Sequence, residues 1–298
     1  MEKLISCIIT TYKREPEVLK RAIDSVLNQT YSKFELIIVN DCPEAKDLCI
    51  QIDRLINSYS RDIKYIIHPH NMGACQARNT GIDASKGFYV AFLDDDDEWM
   101  PTKLEEQLKL FNSNEVGLVY CDCIIRRSGK DTEHRSIPTK YKDDIVKALL
   151  YQNFIGGNSF PLIKKQAIID AGMYDSTLKA LQDLDMWVRI AQKYKCVRCE
   201  KFLVINHISN VSITTISDNR ISAFKRILSK YNDIYINNPK LYHDRLLAIS
   251  GDLLSLGKME EFKGFYTKAI RVKPLAINNI IIPVKSVILE IRKHVLKH

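Results

Sequence analysis

Over the first 120 residues, short apolar runs alternate with amphipathic stretches, the pattern of strands joined by helical crossovers. Residues 4–10 predict a buried strand, 34–40 a second, 63–68 a third and 88–93 a fourth, with another near 116–121. A helix is predicted after Pro16, a residue suited to a first helical turn, and Leu19, Ala22, Ile23 and Val26 recur on one face of it. Further helices are predicted over 46–57, with Leu48, Ile52, Leu55 and Ile56 inward, over 74–84 and over 101–111. This alternation predicts an α/β chain with a mainly parallel, doubly wound sheet. Residues 124–160 are polar and carry no readable pattern. Beyond them come a short run at 159–163, helices near 164–171 and over 183–194, and a late strand over 203–207. From about Arg220 the pattern is helical to the end, which predicts a sheet domain over 1–217 and a helical region over 218–298.

With 298 residues, 46% hydrophobic and 27% charged, the composition is that of an ordinary globular protein, and disordered or disulfide-scaffold classes fall away. No run of about 18 apolar residues is present, so no membrane-spanning helix is expected. The first residues carry no basic region or cleavage site of an export signal, which predicts a cytoplasmic protein with reduced thiols. Cys121, Cys123, Cys196 and Cys199 match the count of a structural zinc site, but the spacing of the first pair does not fit one. Buried free thiols are the expectation.

Charge changes the picture more. Of the net +8, residues 220–298 contribute 15 Lys and Arg against 6 Asp and Glu, while the remainder is close to neutral. A basic tail on a neutral body suggests a docking surface, with no nucleic-acid partner expected. After Pro283, Val284, Val287, Ile288, Ile291 and Val295 form a helical stripe, with Lys285, Arg292, Lys293 and Lys297 off it. Such a helix suits an anionic membrane surface, or packing on its own domain or a second subunit.

The strongest chemical signal is Asp94-Asp95-Asp96-Asp97, directly after the fourth strand. Adjacent carboxylates repel one another, and a divalent cation that prefers oxygen ligands relieves that repulsion. Ligands of open α/β sheets bind beyond the carboxyl ends of the strands, where this cluster must lie. Thr10-Thr11-Tyr12 and Asn40-Asp41 follow two other strands and would converge on the same rim.

These blocks, together with Asn71-Met72-Gly73, Ala77-Arg78-Asn79-Thr80-Gly81, Phe154-Ile155-Gly156-Gly157-Asn158 and Gln182-Asp183-Leu184-Asp185-Met186-Trp187-Val188-Arg189, resemble family 2 of the glycosyltransferases in order and spacing. The resemblance covers about residues 3–210. It implies a GT-A fold, a nucleotide-diphospho-sugar donor, most often a UDP-sugar, and Mn²⁺ or Mg²⁺ held through an Asp-x-Asp element. Residue by residue, it implies Asp96 as metal ligand and Asp94 or Asp95 on ribose or diphosphate. Thr10, Tyr12 and Asp41 would line the nucleoside pocket, with Arg78 supporting it, and Asp183 would be the catalytic base. Three departures stand out: Asn40 where an Asp is usual, Pro43 after Cys42 where Gly-Ser is common, and Gln182 where Glu is frequent.

The residues support this reading beside the family. Sugar transfer needs an acceptor hydroxyl that loses its proton and a leaving diphosphate whose charge is neutralised. Asp183 can take the proton or cap the helix after it. Gly156, Gly157 and Asn158 are candidates for the acceptor or sugar pocket, Asp185 and Arg189 for a helical ion pair, and His207 for the metal shell. The expected activity is inverting transfer to a glycan or lipid-linked acceptor in surface polysaccharide biosynthesis. A sugar-nucleotide pyrophosphorylase is disfavoured because Thr10-Thr11-Tyr12-Lys13-Arg14 lacks glycine, and an inactive sugar-nucleotide-binding module because Asp183 is retained.

Overall fold

The computed structural model describes residues 3–208 and 218–279. The chain divides into two compact units. One takes 3–149, 153–177 and 182–208 of the described residues, the other 150–152, 178–181 and 218–279.

In the first unit, β1 (Ile5–Thr11), β2 (Phe34–Asn40), β3 (Ile63–Ile67) and β4 (Tyr89–Asp94) pair in parallel in the order β3-β2-β1-β4. α1 (Pro16–Leu27), α2 (Lys46–Asn57) and α3 (Ala74–Ala84) connect them. β1 and β4 are buried on both faces because helices cover the sheet, which is why they read as continuous apolar runs. α3 crosses β1 closely at Gly81, where a Cβ would lie 2.5 Å from Cγ2 of the buried Ile8. Gly81→Val should therefore destabilise the protein by about 1–3 kcal/mol, read as a lower denaturation midpoint. An unchanged midpoint would show that the crossing has slack.

The sheet continues through elements with weaker sequence signatures. β5 (Glu98–Trp99), α4 (Lys103–Leu108), β6 (Val116–Arg127), β7 (Lys130–His134) and α5 (Ile145–Tyr151) come first. β8 (Leu162–Lys164), α6 (Lys165–Asp170), α7 (Gln182–Ala191) and β9 (Lys195–His207) follow. The strand order runs on as β4-β8-β6-β9-β5, with β7 on β6. β8 is antiparallel to β4 and β6, whereas β6 and β9 are parallel. The predicted helix over 101–111 is shorter, because Pro101 and Thr102 turn the chain before α4 begins. The strand near 116 runs to Arg127 and returns as β7, so the unreadable segment holds a hairpin and α5.

Lys103 is fully buried, donates to Gln107 Oε1 at 2.7 Å and lies over the Trp99 ring. Burial pulls its ammonium down to about 8. The eight thiols form no disulfide, and burial pushes Cys121 and Cys123 up to about 12.

The second unit holds α8 (Asp218–Lys230), α9 (Asn232–Ile236), α10 (Pro239–Ser255) and α11 (Met259–Val272). Its core includes Ile227, Tyr235, Leu241, Leu246, Leu247 and Leu253. No helix among the described residues is long and apolar enough to cross a membrane. The predicted amphipathic helix after Pro283 lies outside the described residues.

Candidate functional site

The parallel register sets three strand ends side by side: Thr10 opposite Asp94, and Thr11 opposite Asn40. A cavity of about 440 Å³ opens on this rim. It is lined by Thr10, Tyr12, Asp41, Arg78, Asp94, Asp95 and Asp96, with Arg14 and the 71–74 loop completing the wall. The sequence-predicted nucleotide and metal residues, His207 excepted, therefore meet in one pocket of ligand-binding size.

The four aspartates have four different surroundings because a tight turn, closed by Asp97 N donating to Asp94 O at 3.0 Å, splays them. Asp94 Oδ1 accepts from Arg78 Nη2 at 3.1 Å. Asp95 Oδ1 accepts from Arg14 Nε at 2.8 Å and Asp96 Oδ2 from Arg14 Nη2 at 2.9 Å. Asp97 points into the fold, where Ser159 Oγ donates to it at 2.6 Å and Asn206 Nδ2 at 3.0 Å. Ser159 Oγ in turn accepts from Asp94 N, so Asp97 braces the turn rather than facing the pocket. Burial pushes the Asp95 carboxyl up to about 6, against the pull of Arg14, and raises Asp97 well above its ordinary range.

Asp41 is buried and tightly held. Its Oδ1 meets His68 Nδ1 and the Met72 N–H, both at 2.7 Å, and its Oδ2 accepts from Gly73 N at 2.8 Å. Gly73 caps the start of α3 with φ +86°, a conformation that favours glycine. Tyr12, by contrast, is 43% exposed at the pocket rim, with Lys13 Nζ over its ring.

Asp183 does not line this pocket. It sits inside the first turn of α7 rather than at its cap, because the helix begins at Gln182. Asn153 Nδ2 donates to Asp183 Oδ2 at 2.9 Å. Trp187, fully buried, anchors the helix by donating its indole N–H to Gly156 O at 3.0 Å. Gly156 has φ +95°, and a Cβ there would press on the Phe160 ring. Arg78 ties the two places together: Nη1 donates to Gln182 Oε1 at 3.0 Å while Nη2 holds Asp94. Burial raises the Asp183 carboxyl above its ordinary value, with Asp94 adding to the rise and the Leu184 N–H and Arg78 opposing it.

The other predicted residues lie off the pocket. Gly157 is near Asp94 Oδ2, 3.8 Å from where its Cβ would be. Asn158 is buried and accepts from Tyr174 OH at 2.7 Å. Asp185 is buried and paired with Arg189 at 2.8 Å. His207 ends β9 with Nε2 2.5 Å from Glu98 Oε1. Sequence reasoning missed Arg14, His68, Asn153 and the inward role of Asp97. Only Arg14 had a local signal, two residues beyond Tyr12 at the same strand end.

Among the described residues, no three His, Cys, Asp or Glu side chains are grouped as a complete metal centre. The rim nevertheless fits a hard divalent cation, since its donors are carboxylate oxygens and Asp95 and Asp96 already share one guanidinium. Mg²⁺ and Mn²⁺ commonly take one or two carboxylates and complete their shell with phosphates and water.

The family described as "Glycosyl transferase family 2" matches residues 6–172. A putative colanic acid biosynthesis glycosyl transferase, WcaA of Escherichia coli, is 31% identical over 80% of this chain and 85% of its own. An uncharacterized glycosyltransferase of Haemophilus influenzae is 31% identical over 64% of this chain, a match that spans 63% of that relative's length. Among solved structures, the mannosyltransferase PcManGT from Pyrobaculum calidifontis, in complex with GDP-Man and Mn²⁺, superposes with a TM-score of 0.60. That match covers 96% of this chain and 88% of the other at 15% identity. S. aureus TarS 1-349 in complex with UDP-GlcNAc gives 0.58 over 95% of this chain and 79% of TarS, at 14% identity. At such identities these likenesses establish the GT-A fold alone.

Proposed function

We propose that this chain, which belongs to family 2 of the glycosyltransferases, transfers a sugar from a nucleotide-diphospho-sugar to a hydroxyl of a glycan or lipid-linked acceptor, with inversion at the anomeric carbon. The observation that carries the proposal is the coupling of the acidic rim to Asp183 through Arg78, which contacts Asp94 and Gln182. One carboxylate is thereby held apart from the nucleotide pocket yet fixed relative to it. The bound donors of the two structural neighbours, GDP-Man and UDP-GlcNAc, support the donor class. A UDP-sugar is our preferred donor, and the WcaA likeness supports surface polysaccharide as the product.

In this mechanism Thr10, Tyr12 and Asp41 hold the nucleoside and Asp94 or Asp95 the ribose or diphosphate. Asp96 would hold a divalent cation at the rim, whereas His207, engaged by Glu98 away from the cavity, is left out of that role. When bound, the cation neutralises the leaving diphosphate as a Lewis acid. Gly157, beside Asp94, is the candidate for the wall facing sugar and acceptor, with Gly156 and the buried Asn158 behind it. Asp183 accepts the acceptor hydroxyl proton as that oxygen bonds to the anomeric carbon, and the carbon–phosphate oxygen bond breaks with its electron pair leaving on the nucleoside diphosphate. A single attack needs no second carboxylate as nucleophile. The basic C-terminal segment is proposed to dock on an anionic membrane surface.

Incubation with UDP-sugars and Mn²⁺ should release UDP slowly and, with acceptor, give product of inverted configuration by NMR. Retained configuration would exclude the single displacement. Because the base works only ionised, the rate should fall as pH drops through the Asp183 pKa. Burial raises that pKa, so the acid limb should lie above the ordinary Asp value of about 3.9. A kcat profile flat down to pH 4 would remove Asp183 from the role.

A further inference from the structure

His68 follows β3 and continues its ladder, its N–H donating to Asn40 O at 2.9 Å. The side chain is buried, 4% exposed, and bridges two elements. Nδ1 lies 2.7 Å from Asp41 Oδ1, and Nε2 lies 3.0 Å from Thr80 Oγ1 on α3. A carboxylate accepts and does not donate, so Nδ1 carries a proton toward Asp41, while Nε2 lies within hydrogen-bond distance of the Thr80 hydroxyl.

The consequence lies at Asp41. A carboxylate has about four acceptor positions. His68 and Met72 N use those of Oδ1, and Gly73 N uses one of Oδ2. Asp41 lines the cavity, and one acceptor position on Oδ2 is left for a ligand. An aspartate held only by backbone N–H groups could turn about its side-chain bonds. The imidazole grips Asp41 at one ring nitrogen and α3 at the other, from a residue whose backbone continues the β3 ladder.

We infer that His68 is a positioning residue for donor recognition: it orients Asp41 so that a single acceptor meets a single N–H or O–H donor of the nucleoside. The inference rests on the donor pocket proposed above. His68 touches no substrate and acts through Asp41. Its partner on the ligand is either a base ring N–H, as in uracil, or a ribose hydroxyl. Both share the chemistry of one neutral hydrogen-bond donor.

Calorimetry on the full chain with UDP, 3-methyl-UDP and 2′-deoxy-UDP tests this. His68→Leu removes both contacts and should weaken UDP binding about tenfold, the scale of losing a well-aimed bond to a charged group. His68→Asn keeps a donor in the place of Nδ1 and should restore affinity to within about threefold of wild type. Thr80→Val removes only the Nε2 contact and covers the case in which His68→Leu does not fold; it should weaken UDP about threefold. The kcat at saturating donor should change by less than about twofold throughout, since the proton-accepting carboxylate is elsewhere. In an Asp41→Asn background, His68→Leu should cost nothing further, because the two residues act as one unit. The analogue that binds wild type poorly, and His68→Leu no more poorly, identifies the donor as base or ribose.

A lowered melting temperature with unchanged UDP affinity would make His68 merely structural and overturn the inference, as would additive losses in the double variant. Asp41→Asn binding UDP like wild type would instead overturn the donor pocket itself, and the inference with it.

Discussion

Asp183→Asn is expected to lower kcat by about 10²–10⁴, the usual contribution of a positioned general base. That corresponds to roughly 2.7–5.4 kcal/mol of barrier. The amide keeps the shape of the carboxylate and can still accept the Asn153 N–H, while Trp187 continues to anchor α7 on Gly156. What it loses is the ability to take a proton. Donor affinity should stay within about twofold, because Asp183 lies outside the cavity proposed to hold the nucleotide. Transfer within about threefold of wild type would end the assignment. So would an equal loss of donor affinity, which would mean that the substitution had disturbed Arg78 and the rim instead.

The second large effect is expected at Asp96. In the wild-type protein Mn²⁺ should tighten UDP binding by at least about tenfold, roughly 1.4 kcal/mol. In Asp96→Ala that gain should vanish, leaving UDP affinity the same with Mn²⁺ or with chelator. The side chain is 40% exposed and pairs with Arg14, which keeps Asp95, so the fold should tolerate the change. Titration calorimetry with and without Mn²⁺, alongside a thermal melt, separates loss of metal from loss of structure. A Mn²⁺ gain undiminished in the variant would move the ligand role to Asp94 or Asp95.

Much of the sheet unit is legible because its information is local. In α1, Leu19, Ala22, Ile23 and Val26 repeat at helical spacing, and all four are buried. Strands covered on both faces must be apolar throughout, so β1, β2 and β4 stand out as unbroken runs. The site inherits this legibility, since parallel strands deliver their C-terminal residues to one rim and Thr10, Asp41 and Asp94 lie at or next to the ends of three of them. The later strands are different. β5 is two residues long and exists only because Glu98 and Trp99 pair with Ile205 and Val204, over a hundred positions away. β7 is wholly exposed and polar, so no buried face marks it.

The amino-acid sequence by itself determined the family, the alternation of strand and helix, and most of the residues on the acidic rim, because apolar period and strand-end position are encoded within a few neighbours. It could not divide the labour among Asp94, Asp95, Asp96 and Asp97, four identical side chains in a row. The tertiary structure did that, by closing a turn that sends Asp97 inward to Ser159 and Asn206 and leaves the other three to Arg78 and Arg14. It likewise brought His68 to Asp41 and Asn153 to Asp183, pairings 27 and 30 residues apart. The physical reason is the same in each case. A hydrogen bond between distant side chains leaves no periodic trace in the sequence, and only the packed backbone decides which polar groups come within 3 Å.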